Sequence, residues 1–548
     1  MPVQILGRRP ARRAGILILT AAAAAGMALA EGETVVARIF EHAGRLLQEG
    51  RPELALDEYR RLVDGYPNSD LADDALVAIG AQSYPVDDLE ELGKAQGPRL
   101  EEAFKVFDRV RREHPQGNSA PAATLRMAML RLEPRSAGYN AEQARALFSS
   151  VSEIYPESGQ VAQARLGMAY CSRLEASPAQ VIADLQPFWE ELAASPLAPR
   201  ARLWRADAFE AMGWRARALE LYQQTREDFA RSPEAGWAQG RAALLLRRTL
   251  AAAGTARLAA DPTFEGQRLA DLKQAPGVSA SARGWIYLAD AERGRVLRLD
   301  ARGRVLDEKP AAAPSLVAVD PYGQAAIVEG AALRMGKQRW DLGVPDGKRS
   351  LALRPAAPPL ARHDGTWWLL DERGRSVLEF DRALSFKRVV WSDVSLSATR
   401  ARMGPEDTAW LLDRDSRRLV RVSAAGEARA IPLADAPAAL RRPVDLAVDA
   451  HGAAWVLDAQ RGGAAVFSPT GQYEGFVPID AGDGSSLAAL EIDAGGGALV
   501  YDARQRRLRR FIDALAPART AVAGTAAAAA PAPGAAPGAG RAGAEVKP

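Results

Sequence analysis

Carboxylates recur at one fixed place in the second half of this 548-residue chain. Each ends a short aromatic and apolar run, as in Trp-Ile-Tyr-Leu-Ala-Asp290 and Ala-Trp-Leu-Leu-Asp413. Converging carboxylates and imidazoles are the donors that hold calcium or zinc in proteins, so metal chemistry is the first possibility to weigh. The five clear copies end at Asp290, Asp371, Asp413, Asp458 and Asp502.

The regular recurrence of these residues favours a structural role. One metal site would break the repeat, whereas a strand-end Asp that accepts hydrogen bonds from turn amides is useful in every copy. This half has two histidines, His363 and His451, and we expect His451 to be a solvated turn residue. The single cysteine, Cys171, lies in an apolar helical run and should be buried. We therefore expect no catalytic residue, no metal and no cofactor.

The spacing of the acidic positions indicates a repeat of about 40 to 45 residues. From Asp371 onward the intervals are 42, 45 and 44 residues, and a weaker copy ending at Glu329 divides the earlier interval into 39 and 42. Six such units, each with three or four short strands, predict a six-bladed β-propeller.

The order of elements within each unit resembles the NHL repeat over residues 268–512. An apolar strand ends in Asp320, Asp449 or Asp493, a glycine turn follows, and the aromatic strand comes next. Other six-bladed propellers are calcium-dependent lactonases or metal-assisted lyases, so the resemblance leaves a metal-dependent lactonase or lyase as the alternative function. Since the sixth unit ends soon after Ile512, we expect the segment Gln267–Leu272 to supply the closing strand beside Phe511.

Charge is nearly balanced, with a formal net charge of +3. A nucleic-acid-binding protein normally has a larger, clustered basic excess, so we expect no nucleic-acid partner. One basic run stands in the last repeat, and we interpret it as a solvated outer strand. Its members are Arg504, Arg506, Arg507, Arg509 and Arg510.

The first half carries a different repeat with helical periodicity: Ala, an aromatic residue four positions later, and Pro eight positions after that. Three copies are complete; a fourth keeps Phe188 but has Asp184 in place of Ala, and a fifth has its proline displaced. The small residue lets two helices approach, the aromatic ring fills the space between hairpins, and proline ends the helix. The positions are Ala55, Tyr59, Pro67; Ala103, Phe107, Pro115; Ala144, Phe148, Pro156; and Ala218 with Tyr222.

This pattern resembles the tetratricopeptide repeat over roughly residues 34–250. Similar irregular arrays occur in periplasmic proteins of the outer-membrane-assembly and cell-division-coordination types. The resemblance implies a curved array whose first helices line a peptide groove. The register predicts that Arg200, Leu203, Asp207 and Glu210 face this groove.

The two ends of the chain differ from its repeats. Arg8, Arg9, Arg12 and Arg13 precede an apolar run that ends in Ala28-Leu29-Ala30, which predicts a signal peptide cleaved after Ala30. From about Leu515 the chain is rich in Ala, Pro and Gly, which predicts disorder.

The expected organisation is a multidomain protein, α then β. Its parts are a signal peptide (1–30), a tetratricopeptide-like α-solenoid (31–250), a connector (251–262), a six-bladed NHL-like propeller (263–512) and a disordered tail (513–548). We expect a periplasmic or secreted, non-catalytic scaffold or assembly factor of the bacterial cell envelope. Its partners would be other envelope proteins or peptides, with membrane contact only through an uncleaved signal segment.

Overall fold

Two arrays of repeats follow one another in the computed structural model, and the predicted fold class is confirmed. The structure describes residues 35–94, 99–190, 192–268, 272, 277–281, 284–346, 349–371, 373–433 and 440–514. The predicted signal peptide and all of the predicted tail beyond Ala514 lie outside these residues.

Eleven α-helices, arranged in hairpin pairs, make up the described part of the first array. The repeated Ala and aromatic positions on the second helices are all buried, because they fill the space between adjacent helices. The helices are α1 Val35–Gln48, α2 Pro52–Gly65, α3 Ala72–Ser83, α4 Leu100–Glu113, α5 Ala120–Leu132, α6 Ala141–Ile154, α7 Val161–Leu174, α8 Pro178–Asp184, α9 Ala198–Ala211, α10 Arg215–Asp228 and α11 Pro233–Ala252.

The sequence shows why these helices begin and how the irregular copy is accommodated. Asn140 and Ser232 cap α6 and α11 by accepting hydrogen bonds from backbone amides, and Pro233 occupies the first turn of α11. In the fourth copy, the buried Asp184 replaces the usual Ala and pairs with Arg145 through two contacts of 2.7 Å. Paired in this way, the carboxylate is tolerated in the core.

None of the described helices is long and apolar enough to cross a membrane.

Six four-stranded antiparallel blades form the second array within the described residues. The first strand of each blade lies nearest the central axis, and a separate hairpin, β10–β11, is inserted between blades 2 and 3. Blade 1 contains β2 Gly277–Ala280, β3 Ile286–Asp290, β4 Arg295–Leu299 and β5 Val305–Pro310; blade 2, β6 Leu316–Val319, β7 Ala325–Glu329, β8 Ala332–Met335 and β9 Gln338–Asp341; the inserted hairpin, β10 Gly343–Asp346 and β11 Arg349–Ala352; blade 3, β12 Leu360–Ala361, β13 Trp367–Leu370, β14 Ser376–Phe380 and β15 Phe386–Ser392; blade 4, β16 Ala398–Met403, β17 Ala409–Asp413, β18 Arg418–Val422 and β19 Ala428–Pro432; blade 5, β20 Pro443–Val448, β21 Ala454–Asp458, β22 Gly463–Phe467 and β23 Tyr473–Asp480; and blade 6, β24 Leu487–Ile492, β25 Ala498–Asp502 and β26 Arg507–Asp513.

The strand that closes the ring is β1, Leu258–Ala260, which becomes the fourth strand of blade 6. It pairs antiparallel with β26, with Ala260 opposite Phe511, and it also pairs with β23 of blade 5. The prediction that Gln267–Leu272 closes the ring is therefore wrong, because Glu265–Arg268 forms a 3-10 turn instead. The closing strand lies within the predicted connector, only a few residues after α11 ends.

The helical array and the propeller share apolar cores. Leu244 and Ala251 of α11 pack in one cluster with Trp455 and Phe511 of the propeller. At another place, Tyr322 from blade 2 packs against the core of the helical array. Apolar side chains from both arrays are thus buried in shared cores, and this burial stabilises their contact at two separate areas.

Candidate binding surfaces

The repeated aspartates lie at the ends of the second strands, or directly after β13 in the case of Asp371. Asp458 accepts hydrogen bonds from the amides of Gln460 and Arg461 at 2.9 and 3.1 Å, and Asp502 accepts from Arg504 and Gln505 at 3.0 and 3.1 Å. These amides belong to the following turn and would otherwise lack a partner. The carboxylates hold the turns between second and third strands.

The repeated Asp also accepts local hydrogen bonds in blades 1, 3 and 4. Asp413 accepts from the amide of Ser416 at 3.0 Å, Asp371 from that of Arg375 at 2.6 Å, and Asp290 from the Nε of Arg295 at 3.0 Å. Burial raises the pKa of the Asp413 carboxyl, but hydrogen bonds from Ser416 and Ser397 outweigh it, so that the pKa lies below its usual value. The ionised form is the one that these turns require.

The four residues predicted to line a peptide groove are covered. Leu203 and Glu210 are buried, and Arg200 lies 2.6 Å from Glu90 and 3.4 Å from Glu234. Asp207 pairs with Arg173 at 3.1 Å and accepts a hydrogen bond from the Tyr222 hydroxyl at 2.8 Å. The expectation of an open groove at these positions is corrected, because other helices and the propeller occupy that side of α9.

Ion pairs of two buried arginines join α11 to the propeller at this place. Arg248 contacts both Glu210 of α9 and Glu474 of β23, and Arg247 contacts Asp513 at 2.6 Å. Arg247 also donates to the carbonyl of Gly496 at 2.6 Å. Since each guanidinium has partners on more than one element, the junction is both charge-compensated and geometrically defined.

His451 lies inside the same junction, which corrects the expectation of a solvated turn residue. Its side chain is 1% exposed, and its Nδ1 lies 3.6 Å from Glu210. Nε2 is 3.1 Å from the carbonyl oxygen of Arg241, and the ring packs 6.0 Å from that of Tyr222. The turn is covered because α11 lies against it, a relationship that local sequence does not reveal.

A second area of contact involves blades 2 and 3. The ring of Tyr322 fills the space beside Gly93, where an added Cβ would come within 2.7 Å of the ring. Arg382 donates to the carbonyl of Ser136 at 2.7 Å, across the junction. Nearby, His363 Nδ1 is 2.8 Å from Asp407. The turns that join first to second strands, and third to fourth strands, therefore form the propeller face that meets the helical array.

Charged side chains from different blades meet near the propeller axis. Arg402 of β16 lies 3.0 Å from Glu491 of β24, and Arg400 lies 2.9 Å from Asp445 of β20. Burial raises the pKa of Glu491, with the opposing charge of Arg402 offsetting only part of the effect. The pairs compensate two carboxylates with two guanidinium groups and link blades 4, 5 and 6.

Over the described parts of the chain, no group of three or more His, Cys, Asp or Glu residues is placed to hold a metal ion.

Some arginines of the basic run in the last repeat are exposed, and one forms ion pairs. Arg504, Arg506 and Arg507 are exposed, whereas Arg510 pairs with Asp493 at 2.5 Å and with Asp261 at 2.8 Å. The expectation of a solvated outer strand is thus corrected for Arg510, because β1 covers β26 as the outer strand.

Cys171 is buried, and burial raises the pKa of its thiol to about 12.

No family model and no curated protein matches the chain. Solved structures match it over the propeller. A streptogramin B lyase is 13% identical, with a TM-score of 0.35 over 45% of this chain and 96% of the lyase. A gluconolactonase from Xanthomonas campestris is 19% identical, with a TM-score of 0.35 over 44% of this chain and 88% of its own.

A third match is the calcium-binding protein regucalcin from Agrobacterium tumefaciens. It is 15% identical, with a TM-score of 0.32 over 44% of this chain and 92% of regucalcin. At these identities and TM-scores the likeness says nothing about activity.

Proposed function

We propose that this protein is an exported, non-catalytic binding protein of the bacterial cell envelope, in which the two arrays act as one rigid body that holds partner proteins. The observation that carries the proposal is the interlocked junction around Arg248 and Glu474. The helical array covers one propeller face at this junction. The opposite face, which carries the turns between second and third strands, is available to a partner, and we call it the free face.

The structural role of the repeated carboxylates supports the non-catalytic part of the proposal. The turn amides and arginines described above engage Asp290, Asp413, Asp458 and Asp502. The resemblance to tetratricopeptide and NHL repeats points the same way, because stacked repeats offer broad surfaces. Export to the periplasm is proposed from the arginines and apolar run of residues 1–30.

Site-specific photo-crosslinking in cells tests the binding function. A crosslinking amino acid replaces Gln505 or Asp415, both exposed on the free face, in the full-length chain. The matched control replaces Arg302, which is exposed in a turn on the opposite side of blade 1. We expect a discrete adduct with a protein from a free-face position and none from position 302.

Metal analysis and activity assays of the same purified protein test the enzymatic alternative. The proposal predicts no turnover of gluconolactone or of streptogramin B. A stoichiometric divalent ion retained through purification, together with metal-dependent turnover of either substrate, would overturn the non-catalytic role.

A further inference from the structure

Three exposed arginines and one exposed apolar side chain lie on neighbouring turns and loops of the free propeller face. They are Arg375 from the turn in blade 3, Arg414 and Arg417 from the turn in blade 4, and Val394 from the loop between these blades. We call these four residues the Val394 patch. Val394 is 84% exposed, the largest exposure among the large apolar residues of the described chain.

Backbone and side-chain bonds hold the parts of the patch together. The amide of Asp393 donates to the carbonyl of Arg375 at 2.9 Å, which ties the loop to blade 3. On the other side, Arg418 donates to Ser395 at 2.9 Å and pairs with Asp393 at 3.1 Å. Val394 therefore lies on a loop that is fastened at both sides, and its exposure is built into the fold.

The three arginines of the patch are free to take a ligand. Within the described ranges, none of the three side chains forms an ion pair or a hydrogen bond, although Asp415 is exposed beside them. The carboxylate of Asp393 is already engaged by Arg418. The patch thus offers exposed guanidinium groups on the turns next to an exposed apolar side chain, and arginine and apolar residues are both common at protein-binding surfaces.

Arg417 lies in a strained backbone conformation. Arg417 has a φ of 51°, in the left-handed region that favours glycine. Blades 1 and 5 have Gly294 and Gly462 at the equivalent place, four residues after the repeated Asp, with φ of 60° and 64°. An arginine here costs stability that glycine would not, and Arg506 of blade 6 bears the same cost.

We infer that the Val394 patch binds an acidic segment of a protein partner that carries one apolar side chain. Arginine matches carboxylates in a planar, two-bond geometry, and an apolar side chain between the carboxylates would cover Val394. The inference rests on the proposed binding function and names the chemistry of the partner.

The chain contains a matched control for Arg417. Arg506 occupies the same turn position in blade 6, has a φ of 54° and is exposed on the same face, but it lies two blades away from the patch. Arg417→Gly and Arg506→Gly remove the same charge and relieve the same backbone strain. Both should fold with a Tm equal to or above that of the parent protein, so that a loss of binding is not a loss of fold.

The test measures binding of full-length protein to a fluorescent twelve-residue peptide of Glu and Asp with one central Phe. We expect Arg417→Gly to weaken the affinity at least fivefold and Arg506→Gly to change it less than twofold. Val394→Ser should weaken binding of the Phe peptide more than that of a version with Ser in place of Phe. The affinity should fall with added salt.

Several outcomes would contradict the inference that the Val394 patch binds an acidic segment. They are equal losses of peptide affinity in the two arginine variants, no loss of affinity in either, or no binding of the peptide to the parent protein. Arg417-dependent binding to phosphatidylglycerol vesicles without peptide binding would assign the patch to a membrane instead. If a free-face crosslink persists in Arg417→Gly, the Val394 patch is not the partner's binding site, although the proposed binding function stands.

Discussion

Arg248 near the end of α11 and Glu474 in β23 form a buried two-bond ion pair between the helical array and the propeller. The Nε–Oε2 and Nη2–Oε1 distances are 2.5 and 2.8 Å, and the two side chains are 1% and 9% exposed. Glu210 supplies a further carboxylate to Arg248 at 2.8 Å, and Arg215 a further guanidinium to Glu474 at 2.5 Å. The four groups form one network whose members come from both arrays.

Replacing Glu474 with Ala should lower the free energy of unfolding by about 3–5 kcal/mol, because it leaves Arg248 buried with only one carboxylate. Urea denaturation followed by circular dichroism measures the change. Glu220→Ala is the control, since Glu220 and Arg217 pair on the surface with exposures of 50% and 47%. The loss there should be about 0–1 kcal/mol. Equal effects of the two substitutions would contradict a structural role for the junction pair.

The acid dependence of stability should change in Glu474→Gln. Burial raises the pKa of Glu474, but Arg248 and Arg215 lower it more, so that the folded pKa lies below the ordinary 4.5. A depressed carboxyl pKa contributes stability that is present above the ordinary pKa and lost as pH falls through the folded one. Unfolding free energies measured between pH 7 and pH 3 should therefore fall less steeply in the variant. An unchanged slope would show that this carboxyl does not titrate in the folded protein as the contacts require.

Repeat positions were predictable from the sequence because they depend on contacts between neighbouring units. Tyr59, Phe107 and Phe148 are buried at the same place in successive hairpins, and the strand-end aspartates serve the turns that directly follow them. Short-range periodicity is enough to identify such positions.

The junction could not be predicted in the same way. Arg248 and Glu474 are separated by 226 residues, and nothing in either local sequence indicates that they pair. The repeat register that predicts a groove at Asp207 and Glu210 depends on the helices alone, whereas other helices and the propeller cover these residues. The closing strand could not be predicted for a related reason, since three residues beside a helix end carry little periodicity of their own.

Gly240→Ala should destabilise the protein by about 1–3 kcal/mol, because an added Cβ would lie 2.6 Å from the Ala494 carbonyl oxygen of blade 6. Gly236, on the same helix α11, has open space at its Cβ position and provides the control. Alanine at 236 should stabilise the protein by roughly 0.5–1 kcal/mol, since glycine is a poor helix former. Thermal unfolding of the two variants gives the comparison. A stabilising Gly240→Ala would mean that α11 does not lie against blade 6 in solution.

Leu258→Ala tests the closure of the propeller by β1. Leu258 is fully buried and lies opposite Asp513 of β26 and Ile479 of β23, so the substitution should cost about 2–5 kcal/mol. Leu306→Ala is the control, because Leu306 also lies on an outer strand but is 50% exposed. Its change should stay within about 0.5 kcal/mol. If denaturant titrations show equal, small effects for both, β1 does not hold blade 6; a large loss confined to Leu258→Ala places the ring closure in the segment that directly follows α11.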